Sequence, residues 1–133
     1  MYRILALLLA IAAPAWAGSP AAIPDSGRHQ AEVSFQEFAT TWMGKVRKLE
    51  MKNRTKPTVI RSAADPLLTY RGYGDDYSVE LQPTGHPQAP YLGLLRYTEH
   101  VYSCKGIDAI ECRIASTIPI TEIFRFQYGR WNY

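Results

Sequence analysis

Between Cys112 and Tyr128 the even positions carry Cys112, Ile114, Ser116, Ile118, Ile120, Glu122, Phe124, Phe126 and Tyr128. The odd positions carry Arg113, Ala115, Thr117, Pro119, Thr121, Ile123, Arg125 and Gln127. Alternation with a period of two is the signature of a strand with one buried and one wet face. Gly129 then permits a tight turn, and Arg130-Trp131-Asn132-Tyr133 alternates again, so the pattern predicts a closing hairpin.

Upstream, Tyr77, Val79 and Leu81 alternate with polar residues and predict another strand. Tyr91 to Cys104 predicts a longer one, and the proline-rich stretch Pro83 to Pro90 predicts the loop between them. Thr58-Val59-Ile60 reads as a short strand and Asp65-Pro66 as a turn. Leu67, Leu68 and Tyr70 read as buried, and Tyr70 to Tyr77 as a Gly-Asp-rich loop. Pro119 donates no ladder hydrogen bond and is the expected bend in the 112–128 strand.

The apolar sheet face needs a cover, and one helix supplies it. Ser34-Phe35-Gln36-Glu37 has the form of a capping box, with Val33 and Phe38 placed for a hydrophobic staple. Phe35, Phe38, Ala39, Trp42, Val46 and Leu49 recur at spacings of three and four and form one stripe, while Lys45, Lys48 and Lys52 lie away from it. A helix of about 20 residues spans ~30 Å. Asn53 and Pro57 mark its end. The fold class is therefore α+β: one N-terminal amphipathic helix packed on a curved antiparallel sheet of about four strands, in a single domain over residues 31–133.

Strand register follows from the two cysteines. With Cys104 opposite Cys112, Tyr102 meets Ile114 and His100 meets Ser116, but continuing without interruption mixes the faces. One extra residue near Pro119 repairs this: Tyr97 then opposes Ile120, Leu95 opposes Glu122, Gly93 opposes Phe124 and Tyr91 opposes Phe126. The apolar residues of both strands then face the helix.

Residues 1–17 alter the picture of where the chain works. Arg3 precedes an apolar run from Ile4 to Ala13, and Ala15-Trp16-Ala17 offers a small-x-small cleavage site, which reads as a secretory signal peptide cut before Gly18. Residues 18–30, rich in Pro, Ala, Gly and Ser, read as a flexible leader. Removing 17 of 133 residues leaves 116 and lowers the net charge from +3 to +2 with the loss of Arg3. So mild a charge gives no argument for nucleic acid. No further apolar stretch reaches transmembrane length, so no membrane anchor is expected after cleavage, and the protein is expected to be periplasmic or secreted. In an oxidising compartment Cys104 and Cys112 are expected to form a disulfide.

Candidate chemistry is sparse. The register leaves Glu122 on the apolar face, where a carboxylate is costly unless paired or protonated. With Trp42, Tyr91, Tyr97 and Phe124 it forms a candidate ligand pocket with a polar anchor. Lys45, Lys48 and Lys52 form a candidate docking patch for an anionic partner. His29, His86 and His100 are scattered without metal spacing, Asp75-Asp76 alone cannot surround calcium, and no hydrolase motif is present. No catalytic residue, metal ligand or cofactor is assigned.

One long helix followed by a meander of long strands resembles the cystatin-like or nuclear-transport-factor-like architecture over most of residues 31–133. The resemblance implies a sheet wrapped on a helix and a cone-shaped pocket. The Q-x-V-x-G loop of cystatin inhibitors is missing, so inhibition is not implied. The tyrosine-and-acid site of ketosteroid isomerases, which share the second architecture, is echoed only by Tyr97 and Glu122. Two functions follow as expectations. The first is a non-catalytic exported binding or interaction module, whose partner is a protein, an envelope polymer or a small molecule. The second is a small-pocket isomerase- or hydratase-type enzyme with Glu122 as acid or base.

Overall fold

The computed structural model describes residues 25–61, 66–105 and 111–133. The proposed signal peptide, residues 18–24, the Asp65 turn and most of the loop between the cysteines lie outside that set. One helix, α1 (Asp25–Thr55), precedes five strands: β1 (Thr58–Arg61), β2 (Pro66–Pro83), β3 (Tyr91–Lys105), β4 (Glu111–Gln127) and β5 (Arg130–Asn132). They form one antiparallel sheet in sequence order. The fifth strand beyond the expected four arises because β2 extends upstream to Pro66 and gives β1 a partner, with Thr58 opposite Thr69.

The helix begins nine residues before Ser34. Ser34 is therefore mid-helix and caps nothing. Its hydroxyl donates to the Ala31 carbonyl and accepts from the Trp131 indole N–H at 3.0 Å. The expected staple does not form, as Val33 is exposed. Residues 25–30, read as leader, are the first turns of the helix. After Thr55 the Lys56 N–H still bonds the Lys52 carbonyl, and Pro57 then stops the helix.

The buried stripe is Ala31, Phe35, Ala39, Met43 and Val46, with Phe38 and Trp42 packed beside it. Leu49, expected on that stripe, is 45% exposed. There the helix stops covering the sheet face and runs along the edge of β2 instead. Beyond Thr69, no described strand lies on the β1 side of β2. The helix fills this gap in hydrogen bonding. Asn53 donates to the Arg71 carbonyl at 3.0 Å, Glu50 accepts from the Tyr73 N–H at 3.0 Å, and Arg47 donates to the Asp75 carbonyl at 3.3 Å. An otherwise open strand edge is thereby satisfied by side chains. The Gly-Asp-rich stretch is strand rather than loop, with an irregularity between Tyr73 and Tyr77. Gly72 leaves the space that Glu50 and Tyr102 occupy.

The β3–β4 register agrees with six of the pairs expected from sequence: Cys104 with Cys112, Tyr102 with Ile114, Tyr97 with Ile120, Leu95 with Glu122, Gly93 with Phe124, Tyr91 with Phe126; His100, expected opposite Ser116, instead meets Thr117. The disulfide is formed. The extra residue is Ala115, between the Tyr102–Ile114 and Val101–Ser116 pairs, and not near Pro119. The hairpin explains why Pro119 needs no bulge. Tyr128 and Gly129 both have positive φ, 52° and 73°, as a two-residue type I′ turn requires. Gln127 opposite Arg130 closes that turn as a hydrogen-bonded pair. The odd residues of β4 upstream to Thr117 therefore turn their backbone groups away from β3. The missing N–H of Pro119 faces the open edge and removes no bond to β3.

Not all apolar residues of β4 reach the helix. From Glu111 to Pro119 the strand is exposed on both faces, including Ile114 and Ile118. Ile123 and Leu94 pair with each other on the face away from Phe124. A second small core, Leu68, Tyr70 and Cys104 with Tyr102, packs around the disulfide end.

Candidate functional site

Alternation along β4 puts Glu122 and Phe124 on the helix face, and Phe124 is fully buried. Phe38 meets Phe124 edge-on at 4.7 Å between ring centres, and Trp42 does so at 4.9 Å. Glu122 lies directly across from Leu95. The residues that reach its carboxylate come from diagonal positions, as expected for long side chains. On the β3 side Tyr97 pairs with Ile120 and leans over to donate its hydroxyl to Glu122 Oε1 at 3.1 Å. On the β5 side Trp131 pairs with Phe126, so Tyr133 falls beside Phe124 at 5.6 Å. Its hydroxyl donates to Glu122 Oε2 at 2.9 Å. The Tyr133 ring also stacks on Trp42 at 5.9 Å and 10°.

Glu122 is thus half-buried between two phenols on an aromatic floor. Burial pushes the Tyr97 hydroxyl up to about 12, reinforced by the Glu122 charge and by the hydrogen bond to it. The Trp42 indole opposes part of that rise, although its own buried N–H has no partner of hydrogen-bonding geometry. The Tyr133 hydroxyl is also raised, first through its hydrogen bond to Glu122 and then through that carboxylate's charge. Both phenols stay protonated at neutral pH and act as donors.

Of the sequence-predicted pocket residues, Trp42, Tyr97, Glu122 and Phe124 come together. Tyr91 does not join them. It opposes Phe126, four residues from the Leu95–Glu122 pair, or ~13 Å along the strand. Its hydroxyl is buried without a partner. Tyr133 was missed, yet the alternation Trp131, Tyr133 already put it on the face of Trp131. Ring packs on ring at this site, and Tyr133, 83% exposed, is the outermost member. An open depression of about 400 Å³ adjoins it, lined among others by Tyr77, Arg96, Tyr97, Pro119 and Ile120. Tyr97 belongs to both the depression and the Glu122 cluster.

Lys45, Lys48 and Lys52 are all exposed on the helix side away from the sheet. No group of three or more His, Cys, Asp or Glu side chains among the described residues is placed to hold a metal ion. No described helix is long and apolar enough to cross a membrane. No family model matches the chain, and the searches of curated proteins and of solved structures return no match either.

Proposed function

We propose that this is an exported, non-catalytic binding module whose ligand docks at Glu122. The helix-on-sheet arrangement is then of the cystatin-like or nuclear-transport-factor-like kind, used as a scaffold for binding. Export rests on the signal-peptide pattern of residues 1–17, and the Cys104–Cys112 disulfide is in keeping with an oxidising compartment. The observation that carries the reading is a carboxylate held by two tyrosine hydroxyls over Trp42 and Phe124.

A carboxylate has about four acceptor positions, and two phenols use only half of them. The remaining capacity, beside aromatic faces, suits a ligand with an apolar body and an ammonium head, which gains from both the charge and the rings. Acid–base catalysis fits less well. A proton-transfer partner should titrate near the working pH. The groups bonded to Glu122 are phenols, and that of Tyr97 is pushed up to about 12.

Phenethylamine is a suitable probe. Titration at millimolar concentration should perturb tryptophan fluorescence and shift the Glu122, Tyr97 and Tyr133 side-chain resonances. Glu122→Gln should weaken the effect at least tenfold. Unchanged spectra, or equal binding by Glu122→Gln, would defeat the proposal.

A further inference from the structure

We infer that the solvent face of α1 docks the protein on an anionic lipid surface through a lysine ridge. The inference stands apart from the Glu122 site. Lys45, Lys48 and Lys52 recur at spacings of three and four, and Lys56 continues the row just past the last turn. At 3.6 residues per turn they share one side of the helix, with ~10 Å between Lys45 and Lys52 along the axis. All four are exposed.

The neighbouring arginines are used within the fold: Arg47 reaches Asp75, while Arg54 reaches Glu50 and lies over the Tyr70 ring. None of the ion pairs among the described residues involves the four lysines. Their spacing makes each neighbouring pair mutually repulsive, which weakens a helix. The helix dipole accounts for Lys52 and Lys56 near the C-terminal end, but its effect fades within the last turn and does not reach Lys45 or Lys48. The ridge is therefore a liability to the fold that an external anion relieves.

Apolar neighbours select a lipid surface over a soluble polyanion. Leu49 and Met51, on the same turns as the lysines, are 45% and 62% exposed. A polymer of phosphates would leave these side chains wet. At a bilayer they enter the headgroup–acyl boundary while the lysine stems extend to the phosphates. Docking this face leaves the sheet-facing stripe of α1 undisturbed.

The test is co-sedimentation of the signal-free chain with vesicles of equal parts phosphatidylcholine and phosphatidylglycerol, against phosphatidylcholine alone. Binding is expected only to the anionic vesicles and should weaken as salt rises. Each lysine near such a surface contributes roughly a fivefold gain, so the triple change Lys45→Gln, Lys48→Gln, Lys52→Gln should lower affinity about a hundredfold. The control triple Arg113→Gln, Arg125→Gln, Arg130→Gln removes the same charge elsewhere and should retain most of it. Leu49→Ser with Met51→Ser should weaken vesicle binding at least fivefold. Circular dichroism of every variant checks that the fold survives. Equal binding to both vesicles, no binding to either, equal loss in both triples, or soluble polyphosphate binding while Leu49→Ser/Met51→Ser keeps full vesicle affinity would each overturn the inference.

Discussion

Phe35 presses the tip of its ring against Gly93, so closely that a Cβ on residue 93 would overlap Cε2 and Cζ. The ring has nowhere to go: it is 1% exposed, 4.4 Å from Trp131 and 6.1 Å from Phe124 between ring centres. Gly93→Ala should therefore destabilise the protein by about 1–3 kcal/mol through overpacking. Urea unfolding monitored by tryptophan fluorescence reads this directly. An unchanged midpoint would mean that Phe35 can rotate away.

Gly44 predicts the opposite sign. It lies in mid-helix, is exposed, and a Cβ there meets nothing within 4 Å. Gly44→Ala removes backbone freedom from the unfolded chain and leaves every native contact in place. It should stabilise by about 0.5–1 kcal/mol in the same unfolding assay.

Ser34 gives a third. Its hydroxyl is the acceptor for the indole N–H of Trp131, which is 9% exposed. Ser34→Ala strands that donor and should destabilise by about 1–2 kcal/mol, within the range for an unsatisfied buried polar group. A capping serine would instead lose helix content at α1's start, which far-UV circular dichroism distinguishes.

That serine illustrates how the sequence misleads. Ser34 and Glu37 have the spacing of a capping box, and the residues before them, Asp25 to Gln30, carry no apolar period to betray a helix. The β3–β4 register was legible because the cysteines fix one end and Phe124, Phe126 and Tyr97 fix the other. The bulge position was not. From Glu111 to Pro119 the strand is exposed on both faces, so alternation there records no burial and cannot mark where a residue is inserted. Met43 and Leu49 were interchanged for a related reason: the helix turns from covering a face to lining the β2 edge, which period alone does not encode. Glu122 could be found as an acid on an apolar face. Its partner Tyr97 followed from register, whereas Tyr133 depended on a strand of three residues.

The Glu122 cluster ties stability to alkaline pH. Tyr97 has a folded pKa of about 12 against an ordinary value of 10. Because the folded value is the higher one, its contribution is complete below pH 10 and is lost as pH rises from 10 towards 12. The raised Tyr133 hydroxyl acts in the same direction. Urea midpoints should fall across that interval in the wild type. Tyr97→Phe should flatten the fall, and Glu122→Gln should bring both phenols back towards 10 in an ultraviolet phenolate titration.

Reducing the disulfide should loosen one end of the sheet and spare the other. Cys104 is fully buried and belongs to the small core with Leu68 and Tyr70, whereas β4, with Cys112 second in the strand, is exposed as far as Pro119. Among the described strands that stretch pairs with β3 alone, because β5 pairs no further along β4 than Arg125. In the chain-entropy model a loop this short contributes about 2–3 kcal/mol. The Cys104→Ser/Cys112→Ser variant should lose roughly that much in global unfolding. Its amides from Arg113 to Ile118 should exchange with deuterium fastest, since local opening there disturbs little buried surface. Trp42, stacked on Tyr133 and edge-on to Phe124 at the far end, should keep its native fluorescence. Simultaneous loss of the Trp42 signal and of strand protection would instead show that the two cores unfold as one unit, and that the sulfur bridge supports the Glu122 site from the opposite end of β4.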